Sequence, residues 1–357
     1  MPLRPLNDVG YIPLLSLRPS EMQALEELPE RDKDTMFPLF LLRPWTSAHN
    51  LSSALSRLES AYGDRACIVS PCDPEPVENR RPVHDELDEL RDAAHGYEAW
   101  CRFIEDHPNF VPAIQYTVPE EVGDETERLH ELGRGMLVHV RQQAIPLVAE
   151  LAERIAAHCN GGEDVCFLLD YEKFTIDLLG RQLMARGSVQ SILEAAPASF
   201  VAISASSFPD SFTDLTSQEI YERIFYNGVN ASLASERLIY SDRGSARAER
   251  ASGGSGEIPP RVDYAQETQW KFFRAADTSD RRGSYRRQAQ RLMRDDCWDP
   301  ELRIWGTQMI ERTGLGDAAA IGSQAKATAV RINIHLHLQT FYDDPEGKYE
   351  TDEEWRD

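Results

Sequence analysis

Short apolar runs recur along the first two-thirds of the chain, and most end in a charged or hydroxyl residue. They are Tyr11–Arg18, Met36–Arg43, Ala66–Pro71, Val111–Thr117, Met136–Arg141, Val165–Glu172, Phe200–Pro209 and Leu238–Ser245. Their length and bounding turn residues mark buried strands. Helical periodicity separates most of them. Leu51, Leu55 and Leu58 share one face, and Ile145, Val148, Leu151 and Ile155 another. Eight β-then-α units close a parallel barrel, whose site lies at the carboxyl ends of its strands. The pattern therefore predicts an α/β fold: a (β/α)8 TIM-like barrel over residues 1–245.

Local signals place the remaining elements. Pro19-Ser20-Glu21 after the first strand predicts a helix with Ser20 as N-cap. Pro13, Pro38 and Pro112 fall near strand starts, where a missing N–H is tolerated at the amino-terminal rim. Cys72–Val83, rich in Pro and charge, predicts a long loop on the opposite rim, followed by a helix from His84 to about Asp106. Further helices are expected at 124–135, 142–158, 177–186, 188–196 and 217–234. Beyond Ser245 the rhythm changes. Residues 247–260 predict a flexible low-complexity loop. Arg261–Tyr264 and Trp270–Arg274 predict a hairpin outside the barrel. Residues 284–293, 299–313 and 326–342 predict helices, and 343–357 an acidic tail. Residues 246–357 are thus expected to be an extension packed on the barrel, not an independent domain.

Charge narrows the function. The 357 residues carry a formal net charge of -22, which disfavours direct nucleic-acid binding and anionic membranes, because phosphate attraction needs clustered Lys and Arg. A small anion in a local basic pocket stays compatible. The six Cys form no CxxC pair, the start MPLRPLNDVG has no apolar core of a signal peptide, and no window approaches a membrane span. A cytoplasmic protein with reduced thiols is expected, with no membrane partner.

The strand ends supply the candidate chemistry. Arg18, Arg43 and Arg141 end strands one, two and five, and converging guanidinium groups would hold a phosphate or carboxylate through forked hydrogen bonds. Ser207 and Arg243 stand near the ends of strands seven and eight, and Arg274 ends the hairpin motif WKFFR; they complete the ligand-binding set. Asp170 and Glu172 lie on one side of strand six by alternation. With Asp242 they would act as acid and base or hold a divalent metal ion. The competing reading pairs Asp170 and Asp242 with the arginines as a structural network. No HExxH, GxSxG or phosphate-binding loop occurs, and His335 and His337, two apart on an expected helix, face different sides.

The segments YIPLLSLRPSEMQAL (Tyr11–Leu25), FPLFLL (Phe37–Leu42), SSFP (Ser206–Pro209), YSDRGS (Tyr240–Ser245), WKFFR (Trp270–Arg274) and INIHLHL (Ile332–Leu338), in this order, resemble the beta protein family, named for a protein of a satellite phage of enteric bacteria. The resemblance spans almost the whole chain. It implies a barrel-like bacterial or prophage protein from a mobile element or a phage-defence locus, where the founding member restrains a toxic neighbour; it carries over no activity. Family members often place an acid at the ends of strands two and three, where this chain has Leu42-Arg43 and Ser70-Pro71. Two readings result. The first is a component of an anti-phage defence or toxin-restraining locus, binding an anionic small molecule or a partner protein from the same locus at the barrel mouth. The alternative is a metal-assisted hydrolase or phosphodiesterase acting on a phosphorylated small molecule or nucleotide, with Asp170, Glu172 and Asp242 as its catalytic groups.

Overall fold

A computed structural model describes residues 2–174, 177–233, 235–248, 258–276 and 279–351. Residues 249–257 of the expected flexible loop and 352–357 of the expected acidic tail lie outside the described residues. The chain divides into two compact units. The first holds residues 1–18, 36–206 and 221–243. The second holds 19–35, 207–220 and 244–357.

The first unit is the barrel. Its strands are β1 (Tyr11–Ser16), β2 (Leu39–Leu42), β3 (Cys67–Pro71), β4 (Phe110–Ile114), β5 (Met136–Arg141), β6 (Val165–Lys173) and β7 (Phe200–Ser206). After β8 (Ser217–Glu219), which belongs to the second unit, β9 (Leu238–Asp242) completes it. The order is β1-β2-β3-β4-β5-β6-β7-β9, with β9 pairing β1 in parallel to close the ring. All eight expected runs therefore fold as barrel strands, and Met136–Arg141 does so with the bounds read from the pattern. Inward positions such as Ile12, Leu39, Ile68, Leu137, Cys166, Ala202 and Ile239 form one buried cluster. Outward positions such as Leu15, Phe40, Val138 and Ile203 are also buried. Burial on both faces is why these strands read as continuous apolar runs and not as alternating ones.

Several helices differ from expectation for identifiable reasons. The first runs Pro19–Glu26, so Ser20 lies inside it and not at its N-cap; proline's fixed φ suits the first turn, and Ser20 Oγ donates instead to Ala325 O at 3.1 Å. The segment expected as one helix from His84 forms Pro82–Leu90 and Ala94–Asp106, the latter broken by left-handed backbone at His95, Gly96 and Tyr97. Residues 142–158 begin as a 3-10 turn, Gln142–Leu147, because Pro146 lacks the N–H an α-helix needs; the α-helix is Val148–Ala156. Pro38 directly precedes β2, whereas Pro13 and Pro112 stand third in their strands.

In the second unit β10 (Arg261–Ala265) and β11 (Gln269–Arg274) form an antiparallel hairpin. Ser217–Glu219, expected to open a helix, is instead strand β8, paired with β11, and the helix starts at Tyr221. Helices Arg281–Leu292, Trp305–Leu315 and Gln324–Thr340 follow. Asp280 and Ser323 cap the first and last of these through their side chains. Trp270, Tyr264, Ile310 and Ile334 are among the buried residues of this unit's own core.

Candidate functional site at the carboxyl end of the barrel

The register decides which polar groups meet. On β5, Leu137 faces the barrel interior, so His139 and Arg141 follow it inward with a two-residue period. Cys166 and Leu168 on β6 put Asp170 in the same phase. Ala202 on β7 does this for Ser204, and Ile239 on β9 for Ser241 and then Arg243. In the strand register Arg141 stands opposite Asp170 on β5 and β6, and Asp170 stands opposite Ser204 on β6 and β7.

Asp170 is fully buried and is the hub. Its Oδ2 accepts hydrogen bonds from His139 Nε2 at 2.9 Å and from the Arg243 guanidinium. Its Oδ1 accepts Glu172 N at 2.9 Å. Burial alone would raise the Asp170 pKa, but the Arg243 charge and the His139 hydrogen bond more than offset it and hold the carboxyl well below the usual range. An ionised carboxylate only accepts, so His139 carries its proton on Nε2. Burial pushes the His139 pKa down, against the opposing pull of Asp170, so the ring is neutral at pH 7. Tyr116 brackets the strand: its hydroxyl donates to His139 O at 2.9 Å and accepts Arg141 N at 3.1 Å.

Glu172 sits where the β6–β7 register shifts, with φ at 53°. That left-handed backbone is strained for a glutamate, and such strain concentrates at functional sites. Burial, and then the Asp170 charge, raise the Glu172 pKa.

Arg43 and Arg141 do not pair with Asp170. Arg43 pairs Glu75 at 2.6 Å and Arg141 pairs Asp73 at 2.7 Å, both acids belonging to the Pro-rich loop after β3. Arg43, Arg80 and Arg91 line, with Cys72, Asp73 and Glu75, a cavity of about 70 Å³ beside that loop. Arg18 follows β1, half-buried, its backbone N bonded to Ser16 O at 2.7 Å.

Asp242 stands apart from the other two carboxylates. It faces the opposite side of β9 from Ser241 and Arg243, and accepts the hydroxyls of Tyr11 at 2.7 Å and Tyr240 at 2.8 Å. The Arg223 guanidinium lies 3.3 Å from the Tyr240 ring centroid. The barrel therefore brings Asp170, Glu172, Arg141 and Arg243 to one rim and leaves Asp242 in a separate buried network. Ser207 and Arg274 lie in the second unit. Among the described residues, no group of three or more His, Cys, Asp or Glu is arranged to hold a metal ion.

The pattern reading missed His139, Tyr116, Ser204, Ser241, Asp73 and Glu75. The alternation in MLVHVR, LLDYE, AISAS and LIYSDR would have found the first, third and fourth, since each shares the phase of a charged strand-end residue. Nothing periodic marks Asp73 and Glu75.

Fold and rim together define a parallel (β/α)8-barrel protein with a buried, charge-paired carboxyl mouth. A family model described as beta protein matches residues 11–341, and the chain belongs to the beta-protein family. It is similar to "Protein beta" of Enterobacteria phage P4, at 23% identity over 343 residues that cover 93% of each chain. Among the described residues no helix is long and apolar enough to cross a membrane.

Proposed function

We propose that the protein binds a small anionic ligand at the carboxyl mouth of its barrel. One observation carries the reading. Ser204 Oγ, Ser241 Oγ and Arg243 Nε, all in the inward phase at that end, are buried without a hydrogen-bond partner among the described residues. Leaving such groups unpaired costs roughly 1–3 kcal/mol each, and an anion accepts from all three. Two features agree with it. Glu172 holds a strained backbone at this rim. The acids on Arg43 and Arg141 come from exposed loop positions, and such pairs contribute about 0–1 kcal/mol, so a ligand phosphate or carboxylate displaces them readily.

Family membership supports placing this binding in a bacterial or prophage locus for phage defence or toxin restraint, with the anion, or an acidic segment of a locus partner, as the thing recognised. A hydrolase built on Asp170, Glu172 and Asp242 finds less support, because Asp242 is engaged by two tyrosines on the other face of β9.

Thermal-shift measurement against a panel of phosphorylated and carboxylated small molecules tests this. A ligand at about 100 times its Kd stabilises by roughly 2.7 kcal/mol. The expected result is a shift in the wild-type protein that shrinks in Arg141→Ala and Ser204→Ala. A panel that shifts nothing, or shifts all three proteins equally, overturns the reading.

A further inference from the structure

The second unit holds its own concentration of arginine, and it is out of balance. In the β10–β11 hairpin Arg261 stands directly opposite Arg274. Like charges in that position repel and destabilise a hairpin. Arg261 donates to both oxygens of Asp263, with Nη2 to Oδ2 at 2.8 Å. Arg331, reaching the same carboxylate from helix Gln324–Thr340, donates to Oδ2 at 2.9 Å and to Ser245 Oγ at 3.2 Å. One aspartate therefore serves two guanidinium groups. Arg247 adds a third cation, donating to the backbone oxygens of Pro209 and Asp210 at 2.9 Å each, with the Asp210 carboxylate 3.8 Å away. Arg274 donates to Phe212 O at 3.3 Å.

Arg247, Arg261 and Arg274 gather around Phe212, while the Arg331 guanidinium lies 3.9 Å from the Phe208 ring centroid. The Arg261 guanidinium lies 3.3 Å from the ring centroid and that of Arg247 5.7 Å. Among the described residues four arginines thus face two aspartates, Asp263 and Asp210, in a chain whose net charge is -22. Arg331 reports the excess: burial first, and then the like charges of Arg261 and Arg247, bring its pKa down to about 10 in spite of Asp263. Repulsion among these like charges raises the energy of the hairpin, and a multiply charged anion would relieve it.

We propose that this hairpin face is a second anion site, distinct from the barrel mouth, and that it takes a small polyphosphate-bearing ligand. Arg331 is buried and Arg261 half-buried, and together they form the fixed floor. Arg274 is exposed and Arg247 partly so, and both turn their remaining donors to the incoming phosphates, where planar guanidinium groups bind phosphate oxygens in pairs. A long polyanion such as nucleic acid is repelled by the acidic chain as a whole, so the ligand is a small molecule.

The probe is inorganic tripolyphosphate, titrated calorimetrically into the full chain at fixed ionic strength, since screening otherwise mimics a change in affinity. The wild type should bind it saturably. The double variant Arg247→Gln/Arg274→Gln should lose one equivalent, or weaken it by about tenfold or more, the effect of removing charge-assisted contacts. Arg274→Gln alone, which alters an exposed side chain, should weaken the same equivalent in a chain whose circular dichroism is unchanged. Absence of saturable binding, or identical isotherms for wild type and both variants, overturns the proposal. No residue of the barrel mouth changes in either variant, so the result leaves that site's reading separately testable.

Discussion

Arg243 donates to the Asp170 carboxylate across the barrel mouth, from β9 to β6, over the intervening strand β7. Both side chains are buried. Removing one partner of such a pair leaves a desolvated charge, which costs about 3–5 kcal/mol. Asp170→Asn should therefore lower unfolding free energy by about that amount in urea titration. Combining it with Arg243→Gln should cost less than the sum of the single changes, since the second removes the charge the first strands. Strict additivity would show that the pair is not coupled.

The same mouth makes stability depend on pH in two separate windows. His139 has a folded-state pKa below its ordinary value of about 6.5, so the unfolded chain takes up a proton first. Its contribution is present above about pH 6.5 and is lost as pH falls through the folded value. Asp170, also depressed, acts lower: its contribution is present above about pH 4 and is lost as pH falls further. The His139 part of the unfolding free energy should therefore decline from pH 7 to 5, against the opposite trend of Glu125 and Glu172, whose pKa values are raised on folding. The variant His139→Gln should flatten that decline and keep the loss below pH 4. An unchanged slope between pH 7 and 5 in His139→Gln would assign the titration elsewhere.

The barrel was legible in the sequence because burial on both strand faces leaves unmistakable apolar runs. Met136–Arg141 shows this best, its pattern bounds matching its strand bounds. The site was only half legible. Alternation groups Asp170 with Glu172, whose N–H bonds the Asp170 carboxylate from beyond a register shift, but it also turns Asp242 away from Arg243, its neighbour in the strand-end motif YSDRGS. Asp73 and Glu75 reach Arg141 and Arg43 from a loop without periodicity, and only the folded loop reveals the pairing. Ser217–Glu219 escaped because a three-residue edge strand carries almost no pattern, and its partner β11 is distant in sequence.

Asp242 and its tyrosines should separate stability from binding. Burial, and then the nearby Asp242 charge, raise the pKa values of Tyr11 and Tyr240, so both hydroxyls stay protonated and donating. Tyr240→Phe leaves one Asp242 oxygen without that donor in a buried place, at a cost of roughly 1–3 kcal/mol. Thermal unfolding should show the loss. Any anion found to stabilise the wild type should bind Tyr240→Phe with unchanged affinity. A loss of affinity would connect this network to the mouth.

Glu125, fully buried on helix Val122–Glu131, gives the opposite sign. Its two oxygens accept Gln115 N at 3.0 and 3.1 Å, but burial dominates and raises its pKa well above the ordinary value. An acid raised on folding contributes stability below its unfolded pKa, about 4.3, and loses it as pH climbs through the folded value. Glutamine keeps an oxygen for Gln115 N and carries no charge. Glu125→Gln should stabilise the protein at pH 7 and have little effect near pH 4. Denaturation at the two pH values decides it; destabilisation at pH 7 would mean that the carboxylate is charged and compensated.

Gly306 fixes how two helices of the second unit approach. A Cβ there would lie 2.5 Å from Ile334 Cγ1, 2.9 Å from Asn333 Oδ1 and 3.0 Å from Val330 O, all on helix Gln324–Thr340. The Gly306 N–H itself donates to Asn333 Oδ1 at 2.9 Å, and Asn333 Nδ2 donates onward to Ala24 O at 2.9 Å. A methyl group cannot enter without moving the backbone oxygen of Val330 or breaking that relay. In an exposed helix Gly→Ala stabilises by roughly 1 kcal/mol; here overpacking should reverse the sign and cost about 1–3 kcal/mol. Urea unfolding of Gly306→Ala measures the balance. A stabilised variant would show that the two helices are free to separate by the width of a methyl group.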